Sequence, residues 1–279
     1  MLKIAITGST GLVGSRIQEL LYHDFIFLPL LQSKIDITDQ KSVEDFCAQN
    51  DFDLMLHLAA YTPVDQAEKD KDLATKINKI GTQNLFNAVY KKKKKFVYIS
   101  TDFVFDGEHP PYYEDSKPNP KGVYGKTKYE GEKIVGSDGM IVRISYPYRA
   151  EFEKKEDLVR SIQSYLEEGK ALRMIGDTQI TPTFIDDIAF ALKHLLTNYS
   201  PEIYHIVGSQ SLSPYEVGLK ISDVYGLDKT LIKKTTYDEF YKDNDIRPKQ
   251  SVIKSRKNTF WEMKSFDEGL KELKKQASR

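Results

Sequence analysis

Cysteine is almost absent from this chain, whose 279 residues include a single one, Cys47. One cysteine excludes an internal disulfide and fits a reducing compartment. An excess of charge is also lacking, because 41 Lys and Arg residues balance 41 Asp and Glu residues. Balanced charge gives no whole-chain attraction to nucleic acid or to acidic lipid, so neither is expected as a partner.

Long hydrophobic runs are missing as well. The longest, residues 25–31, is interrupted by Pro29 and falls far below the roughly 18 residues that span a bilayer. The apolar part of the N-terminal segment is too short for a signal peptide. The five histidines are scattered without the spacing of metal ligands, so no metal site is predicted. We expect a soluble, cytoplasmic protein that does not enter a membrane.

The chain does contain short apolar runs that alternate with segments of helical period. Strands are predicted over residues 2–7, 25–30, 53–58, 96–100 and 140–145, with helices over residues 12–22, 73–90 and 124–135. Continuous apolar strands separated by helices predict a parallel sheet covered on both faces. With right-handed crossovers this is a doubly wound α/β sheet.

The alternation loosens after residue 146. Helices are predicted over residues 156–168 and 185–196 and from Ser213 to a stop at Gly226, with strands over 171–175 and 203–207. We expect residues 1–146 to form one domain and residues 147–279 mainly a smaller one, some of whose segments return to the first.

A glycine turn follows the first predicted strand and opens the first predicted helix. Its residues are Gly8, Thr10, Gly11, Leu12, Val13 and Gly14. Strand, glycine turn and helix are together the context of a dinucleotide-binding loop, in which a pyrophosphate lies at a helix N-terminus. The glycines are spaced by three residues, unlike the G-x-G-x-x-G of ordinary dehydrogenases.

The type of nicotinamide cofactor depends on the end of the second strand. An acid there would bind the ribose hydroxyls and disfavour a 2′-phosphate, but none is present. Ser33 and Lys34 tolerate a phosphate, so the sequence favours NADPH or the use of both cofactors. Asp36 is predicted at the tip of a short extra strand, where an adenine could lie. Alternatively it caps the next helix, a role that Asp39 serves at least as well.

Tyr124 and Lys128 lie four residues apart on a predicted helix, and therefore on one face of it. Reduction of a ketone needs a proton for its oxygen, and a phenol with a pKa of about 10 needs help near neutrality. A neighbouring ammonium stabilises the phenolate and lowers that pKa. Thr101, at the end of a buried strand, offers a hydroxyl to the same oxygen. Tyr129 also precedes a lysine by four residues, so position rather than spacing favours Tyr124.

These residues resemble the extended short-chain dehydrogenase/reductase family, and within it the dTDP-4-dehydrorhamnose reductase group. The matching segments are residues 8–14, 36–39, 57–68, 78 with 81–82, 100–107, 123–128 with 131–132, 181–187, and 247–248 with 251. The resemblance implies a Rossmann domain over residues 1–146 and a smaller, interleaved substrate-binding domain mainly over residues 147–279. It implies reduction of a 4-keto nucleotide sugar by NADP(H) or NAD(H), and it leaves the oligomeric state open, with a homodimer as one arrangement.

The resemblance also implies a set of site residues. The catalytic residues are Thr101, Tyr124 and Lys128. The cofactor-binding residues are Gly8, Thr10, Gly11, Leu12, Val13, Gly14, Asp36, Ile37, Leu58, Ala59, Ala60, Tyr61, Asn78 and Lys128. The substrate-binding residues are Thr62, Val64, Asp102, Phe103, Tyr146 and Arg247.

Two departures from the group concern the sugar. Phe103 stands where rhamnose-pathway reductases usually carry a tyrosine, and Tyr146 stands where they usually carry a tryptophan. Both positions face the sugar in the family, so the chemistry is expected to be kept while the substrate stays open. Tyr148 and Arg149 either contact another nucleotide sugar or are ordinary loop residues.

Two alternative functions remain. One is a nucleotide-sugar epimerase or dehydratase, although dehydratases usually place a second acid where Phe103 follows Asp102. The other is a non-catalytic, cofactor-binding regulatory subunit, because the beta subunit of methionine adenosyltransferase resembles the same group.

Overall fold

The computed structural model describes residues 1–242 and 246–277. Its strands are β1 (Lys3–Thr7), β2 (Ile26–Leu30), β3 (Leu54–His57), β4 (Lys95–Thr101), β5 (Met140–Ile144), β6 (Pro147–Tyr148), β7 (Leu172–Ile175), β8 (Thr183–Phe184), β9 (Ile203–His205) and β10 (Ile232–Thr235). Its α-helices are α1 (Leu12–Leu21), α2 (Gln40–Gln49), α3 (Val64–Lys69), α4 (Lys71–Thr75), α5 (Thr82–Lys91), α6 (Val123–Val135), α7 (Leu158–Glu167), α8 (Ile185–Thr197), α9 (Pro214–Tyr225), α10 (Tyr237–Tyr241) and α11 (Phe266–Ala277). A π-helical segment, Lys76–Gly81, joins α4 to α5.

The main sheet has the order β2-β1-β3-β4-β5-β9, with all neighbouring strands parallel. Apolar side chains of α1 and α8 cover one face, and those of α2, α5 and α6 cover the other. Because both faces are covered, strands such as β5 are buried along their whole length. The predicted doubly wound α/β sheet is confirmed.

The strand order reverses beside β1, which has β2 on one side and β3 on the other. In open α/β sheets a ligand crevice forms at the carboxyl ends of the strands at such a reversal. The loops that follow β1 and β3 meet at this edge, and β4 and β5 end beside them. We refer to this row of strand ends as the carboxyl edge.

The short extra strand predicted near Asp36 is wrong. Residues 31–39 form turns, and β2 is the last strand on this side of the sheet. The Asp36 carboxylate accepts hydrogen bonds from the Thr38 amide at 2.8 Å and from the Thr38 hydroxyl at 2.7 Å. Such local side-chain bonds offer the backbone an alternative to a strand. Asp39, not Asp36, caps α2, by accepting from the Lys41 amide.

A second lobe follows β5, with its own apolar cluster from α7, α9 and α11. Two small parallel sheets, β6 with β8 and β7 with β10, belong to this part of the chain. Ser213 and Glu216 form the expected capping box of α9, and Gly226 ends that helix in the left-handed conformation. β9 pairs with β5, and α8 packs on α1, so parts of the chain after residue 146 return to the first lobe. The domain boundary near residue 146 stays a prediction.

Across residues 1–242 and 246–277, every helix is too short or too polar to cross a membrane.

Candidate active site

The glycine turn between β1 and α1 fits closely against the loop after β3. Gly8 has a φ of +65°, and a side chain there would come within 2.8 Å of the Ala59 backbone nitrogen. Gly14 lies against the Gly8 carbonyl, where a Cβ would collide. Gly11 differs, because among the described residues, its chain neighbours and helix backbone aside, a Cβ there would approach one atom within 4 Å, the Gly8 carbonyl oxygen at 3.2 Å. The N-terminus of α1 is therefore open, with free amides and a positive dipole end that suit a pyrophosphate.

A buried hydroxyl fixes the backbone that follows β3. Thr7 Oγ1 accepts from the amides of Leu58 and Ala59, each at 3.1 Å, and lies 2.6 Å from His57 Nδ1. Burial, together with the charge of Lys128, lowers the pKa of His57 to about 3, so its ring is neutral. Two of the predicted cofactor-binding residues are thereby held in place before any ligand arrives.

Asn78, in the π-helical segment, continues this network. Its amide group accepts from the Tyr61 amide at 2.7 Å and donates to the Tyr61 carbonyl at 3.1 Å and to Thr127 Oγ1 at 3.0 Å. Its own carbonyl accepts from Thr82 Oγ1 at 2.7 Å. Thr82 must therefore accept from His57 Nε2 at 3.0 Å, which leaves Nδ1 as the acceptor. Asn78 thus connects the loop after β3 to α6.

Lys128 is 2% exposed and lies on α6 behind β4. Its Nζ donates to the Ile99 carbonyl at 2.7 Å and stands 4.0 Å from the centroid of the Tyr98 ring. Burial lowers the pKa of Lys128 to about 7, against the opposing charge of Glu132. The residue therefore changes charge near neutral pH.

Tyr124 lies in the first turn of α6, one turn before Lys128, and is half-buried. Burial raises the pKa of Tyr124 to about 12; the Thr101 hydroxyl opposes this rise and the Asp102 carboxylate adds to it. For this arrangement the prediction that Lys128 lowers the pKa of Tyr124 is wrong, because the ammonium is engaged with a backbone carbonyl. The phenol is protonated near neutral pH, which is the form that donates a proton.

The carboxylate of Asp102 is buried and accepts from three hydroxyls. Thr101 donates to Oδ1 at 3.0 Å, Ser145 donates to Oδ2 at 2.9 Å, and Ser251 also donates to Oδ2. Burial raises the pKa of Asp102, and the hydroxyls oppose the rise. Since a hydroxyl has one proton, Thr101 must turn away from Asp102 before it can donate to another oxygen.

Phe103 and Tyr146 extend the site away from Tyr124 as a row of rings. The Phe103 ring meets the Tyr124 ring edge to face at 5.6 Å and lies 6.2 Å from the Tyr146 ring. Tyr146 has a φ of +39°, a left-handed conformation that costs a non-glycine residue about 1–3 kcal/mol. The Thr183 amide donates to its carbonyl at 3.1 Å and helps to hold it there. Backbone strain of this kind is typical of functional sites.

The remaining predicted substrate residues lie between the two lobes. Arg247 forms a bidentate ion pair with Asp65, with N–O distances of 2.6 and 2.7 Å. Thr62 accepts from Lys155 Nζ at 3.1 Å, and Val64 begins α3. Arg247 is therefore paired with a carboxylate of the first lobe.

Tyr148 and Arg149 fit the ordinary structural interpretation. Tyr148 is 1% exposed and belongs to the apolar cluster of the second lobe. The Arg149 guanidinium donates to Ser15 Oγ at 3.0 Å and to Glu19 at 2.7 Å on α1. Arg149 therefore connects the second lobe to α1, whereas Tyr148 packs within the second lobe.

The carboxyl edge brings the predicted residues together in two groups. On the cofactor side lie Gly8, Thr10, Gly11, Leu12, Val13, Gly14, Leu58, Ala59, Ala60, Tyr61 and Asn78, with Asp36 and Ile37 farther along. On the other side lie Thr101, Asp102, Phe103, Tyr124, Lys128 and Tyr146. Their roles in binding and catalysis stay predictions. Within residues 1–242 and 246–277 the structure holds no cluster of His, Cys, Asp or Glu side chains suited to a metal ion.

Sequence reasoning missed the serines that hold Asp102. Ser145 and Ser251 lie 43 and 149 residues from it along the chain. A signal was present, because a carboxylate directly after a buried strand must find hydrogen-bond donors. Their positions could not be read from spacing.

A family model matches almost the whole chain. The model described as the RmlD substrate binding domain matches residues 2–278. This chain belongs to that family. The resemblance to the dTDP-4-dehydrorhamnose reductase group of the extended short-chain dehydrogenases/reductases is thereby confirmed, and the family is one of nucleotide-sugar reductases.

Three similar proteins illustrate what this chain resembles. The spore coat polysaccharide biosynthesis protein SpsK of Bacillus subtilis is 32% identical over 261 residues, which cover 92% of this chain and 90% of that protein. The crystal structure of dTDP-4-dehydrorhamnose reductase from Bacillus anthracis in complex with NADP has a TM-score of 0.90 and 31% identity, and the match covers 99% of each chain. The methionine adenosyltransferase 2 subunit beta of Bos taurus is 29% identical over 252 residues, which cover 84% of this chain and 75% of that protein.

Proposed function

We propose that this protein reduces the keto group of a 4-keto nucleotide sugar with NADPH or NADH. One observation carries the proposal: the glycine turn lies along the same carboxyl edge of the sheet as Thr101 and the helix that carries Tyr124 and Lys128. The similarity to dTDP-4-dehydrorhamnose reductase supports the same reaction class.

The residues present fit a dinucleotide. Gly11 leaves the N-terminus of α1 open to a pyrophosphate, and the backbone of Leu58 and Ala59 is fixed beside it. Ser33 and Lys34 are exposed after β2, and residues 31–35 include no carboxylate that would repel a 2′-phosphate. When bound, the cofactor supplies the hydride.

Tyr124 is the proton donor of the proposed reaction. Its O–H bond breaks and a new O–H bond forms on the sugar oxygen as hydride reaches the carbonyl carbon. A phenol with a pKa of about 12 is in the donating form at neutral pH. Lys128 stabilises the resulting phenolate only if its charged ammonium leaves the Ile99 carbonyl and turns toward Tyr124. Thr101 orients the same oxygen once its hydroxyl leaves Asp102.

Asp102 argues against the dehydratase alternative. Loss of water from the sugar requires an acid at the substrate. Asp102 is 2% exposed, and both of its oxygens accept from hydroxyls. It would have to leave this network to act, and Phe103 follows it in place of a second acid.

The test follows NADPH and NADH oxidation with a panel of 4-keto nucleotide sugars and identifies the products by mass spectrometry. We expect a product that carries two more hydrogens than the substrate.

Tyr124→Phe should lower kcat by about 10²- to 10⁴-fold and leave the Kd of NADPH nearly unchanged, because the hydroxyl acts in the transition state. Tyr129→Phe is the matched control, since Tyr129 also precedes a lysine by four residues. Turnover retained in Tyr124→Phe would contradict the proposed mechanism.

A partner-binding role without turnover is the second candidate, favoured by the similarity to methionine adenosyltransferase 2 subunit beta. It predicts that the protein binds NADPH but reduces no sugar of the panel. Calorimetric titration of NADPH beside the turnover assay separates the two functions.

A further inference from the structure

The helix that carries Tyr124 has no cap of its own. Its N-cap residue is Gly122, which has no side chain to accept a hydrogen bond. The first amides of a helix have no partner within the helix and need one elsewhere. At α6 the partner comes from another helix: Glu68 Oε1, on α3, accepts from the Val123 amide at 2.6 Å.

Other parts of the chain also enclose this first turn. A Cβ at Gly122 would lie 2.6 Å from the Ile246 carbonyl and 3.0 Å from Glu68 Oε1. A Cβ at Gly125 would collide with the Phe103 carbonyl. Both glycines are therefore needed for close approach, and Tyr124 lies between them.

We infer that Glu68 is a positioning residue for Tyr124, an inference that rests on the proposed function. Its carboxylate replaces the missing cap, and its charge suits the positive end of the helix dipole. Without this bond the first turn of α6 frays, and the phenol leaves its place beside Thr101. A displacement of about 1 Å at a reacting group can lower a rate by about 10²-fold.

The same helix also connects Tyr124 to the second lobe. Asp65, three residues before Glu68 on α3, holds Arg247 in the bidentate pair, and Ile246 directly precedes that arginine. Helix α3 therefore contacts both the start of α6 and the second lobe. Glu68 is the member of this connection that touches the helix of Tyr124.

Three variants separate reach from charge at position 68. Glu68→Gln keeps an acceptor oxygen at the same reach, so we expect kcat within about three-fold of the natural protein. Glu68→Ala removes the acceptor, and Glu68→Asp keeps the charge but is one methylene too short. We expect both to lower kcat ten-fold or more, on the order expected for a displaced proton donor. The KM of the sugar and the Kd of NADPH should change by less than about two-fold in all three variants. Each variant moves the proton donor but leaves the groups that bind the sugar and NADPH in place.

Ser213→Ala is the matched control. Ser213 caps α9 in the second lobe, so this variant loses a helix cap of a similar kind away from Tyr124. We expect it to lower the Tm as Glu68→Ala does, but to keep kcat. If Glu68→Ala keeps kcat, or if Glu68→Gln falls as far as Glu68→Ala, Glu68 does not position Tyr124 through this bond.

Amide hydrogen exchange provides a readout that needs no turnover. Exchange over residues 122–126 should become at least ten-fold faster in Glu68→Ala and stay unchanged in Glu68→Gln, while α9 stays protected in both. If the natural protein reduces none of the sugars, the proposed function fails, and this local exchange still decides whether Glu68 caps α6. Unchanged exchange in Glu68→Ala would overturn the inference even in an active enzyme.

Discussion

Two buried cations on one face of the sheet differ in what holds them. Arg143, in β5, forms a bidentate ion pair with Glu132 of α6, with N–O distances of 2.9 and 2.7 Å. Lys128, one turn earlier on α6, is held by the Ile99 carbonyl and the Tyr98 ring. Both are almost fully buried, at 1% and 2% exposure. Arg143 is matched by a carboxylate, whereas Lys128, held by a carbonyl and a ring, has a pKa lowered to about 7 by burial.

The guanidinium of Arg143 also contacts a histidine ring. Its Nη1 donates to His205 Nε2 at 3.2 Å, and His205 Nδ1 donates to the Lys254 carbonyl at 2.8 Å. Burial, and then the charge of Arg143, lower the pKa of His205 to about 4, so the ring is a neutral acceptor. Arg143 is paired in register with Ser100, one residue before Thr101 ends β4. The difference teaches that two buried cations on one face of the sheet are held in different ways, one by a carboxylate and the other by a backbone carbonyl and an aromatic ring.

The largest expected effect comes from breaking the ion pair between Arg143 and Glu132. Arg143→Met leaves the Glu132 carboxylate buried without its partner, and loss of one member of a buried pair costs about 3–5 kcal/mol of unfolding free energy. Urea denaturation measures the loss. The double variant Arg143→Met with Glu132→Leu should recover much of it, because no charge then remains unpaired. A loss below about 1 kcal/mol in the single variant would contradict the structural role.

Lys128→Met should change the pH dependence of the unfolding free energy rather than remove a stabilising ion pair. Its folded pKa of about 7 lies below the value of about 10.4 expected in the unfolded chain. Between these pH values the unfolded chain binds a proton that the folded chain has released, so unfolding free energy rises with pH by up to about 1.4 kcal/mol per unit. Lys128→Met removes this increment while abolishing reduction.

Urea titrations of both proteins at pH 7, 8 and 9 measure the increment as a difference. The upper limit stays below the range in which Tyr124 contributes, because its pKa is raised and its effect has the opposite sign. Parallel stability curves for the two proteins would show that the folded Lys128 keeps an ordinary pKa.

The same contrast separates what sequence could predict from what it could not. The glycine turn and the Tyr124–Lys128 pair are local patterns, and their place at the carboxyl edge followed from parallel strands. The Ser251 contact of Asp102 spans 149 residues, and no periodicity encodes it. The partner of Lys128 was expected to be Tyr124, but a backbone carbonyl takes the ammonium instead. Every residue has a backbone carbonyl, so the sequence does not indicate which carbonyl will compete with a side chain for the lysine ammonium.

The smallest expected effect concerns the rings that face the cleft, where selectivity rather than stability should respond. Phe103 lacks the hydroxyl of the usual tyrosine, and Tyr146 is smaller than the usual tryptophan. We expect weak activity on dTDP-4-dehydrorhamnose and better activity on another keto sugar nucleotide. Phe103→Tyr with Tyr146→Trp should raise the relative kcat/KM for dTDP-4-dehydrorhamnose about five-fold, since one regained hydrogen bond contributes about 1 kcal/mol.

The comparison requires kcat/KM for both substrates in the natural protein, in each single variant and in the double variant. Urea midpoints serve as the control, and they should shift far less than for Arg143→Met, because both rings are half-buried and belong to the cleft. Since the two rings are neighbours, their effects need not add, and the single variants measure that coupling. If the natural protein already reduces dTDP-4-dehydrorhamnose efficiently and the double variant changes nothing, positions 103 and 146 do not select the sugar. Selection would then lie with groups that reach the cleft from the second lobe, of which Arg247 is the first to test.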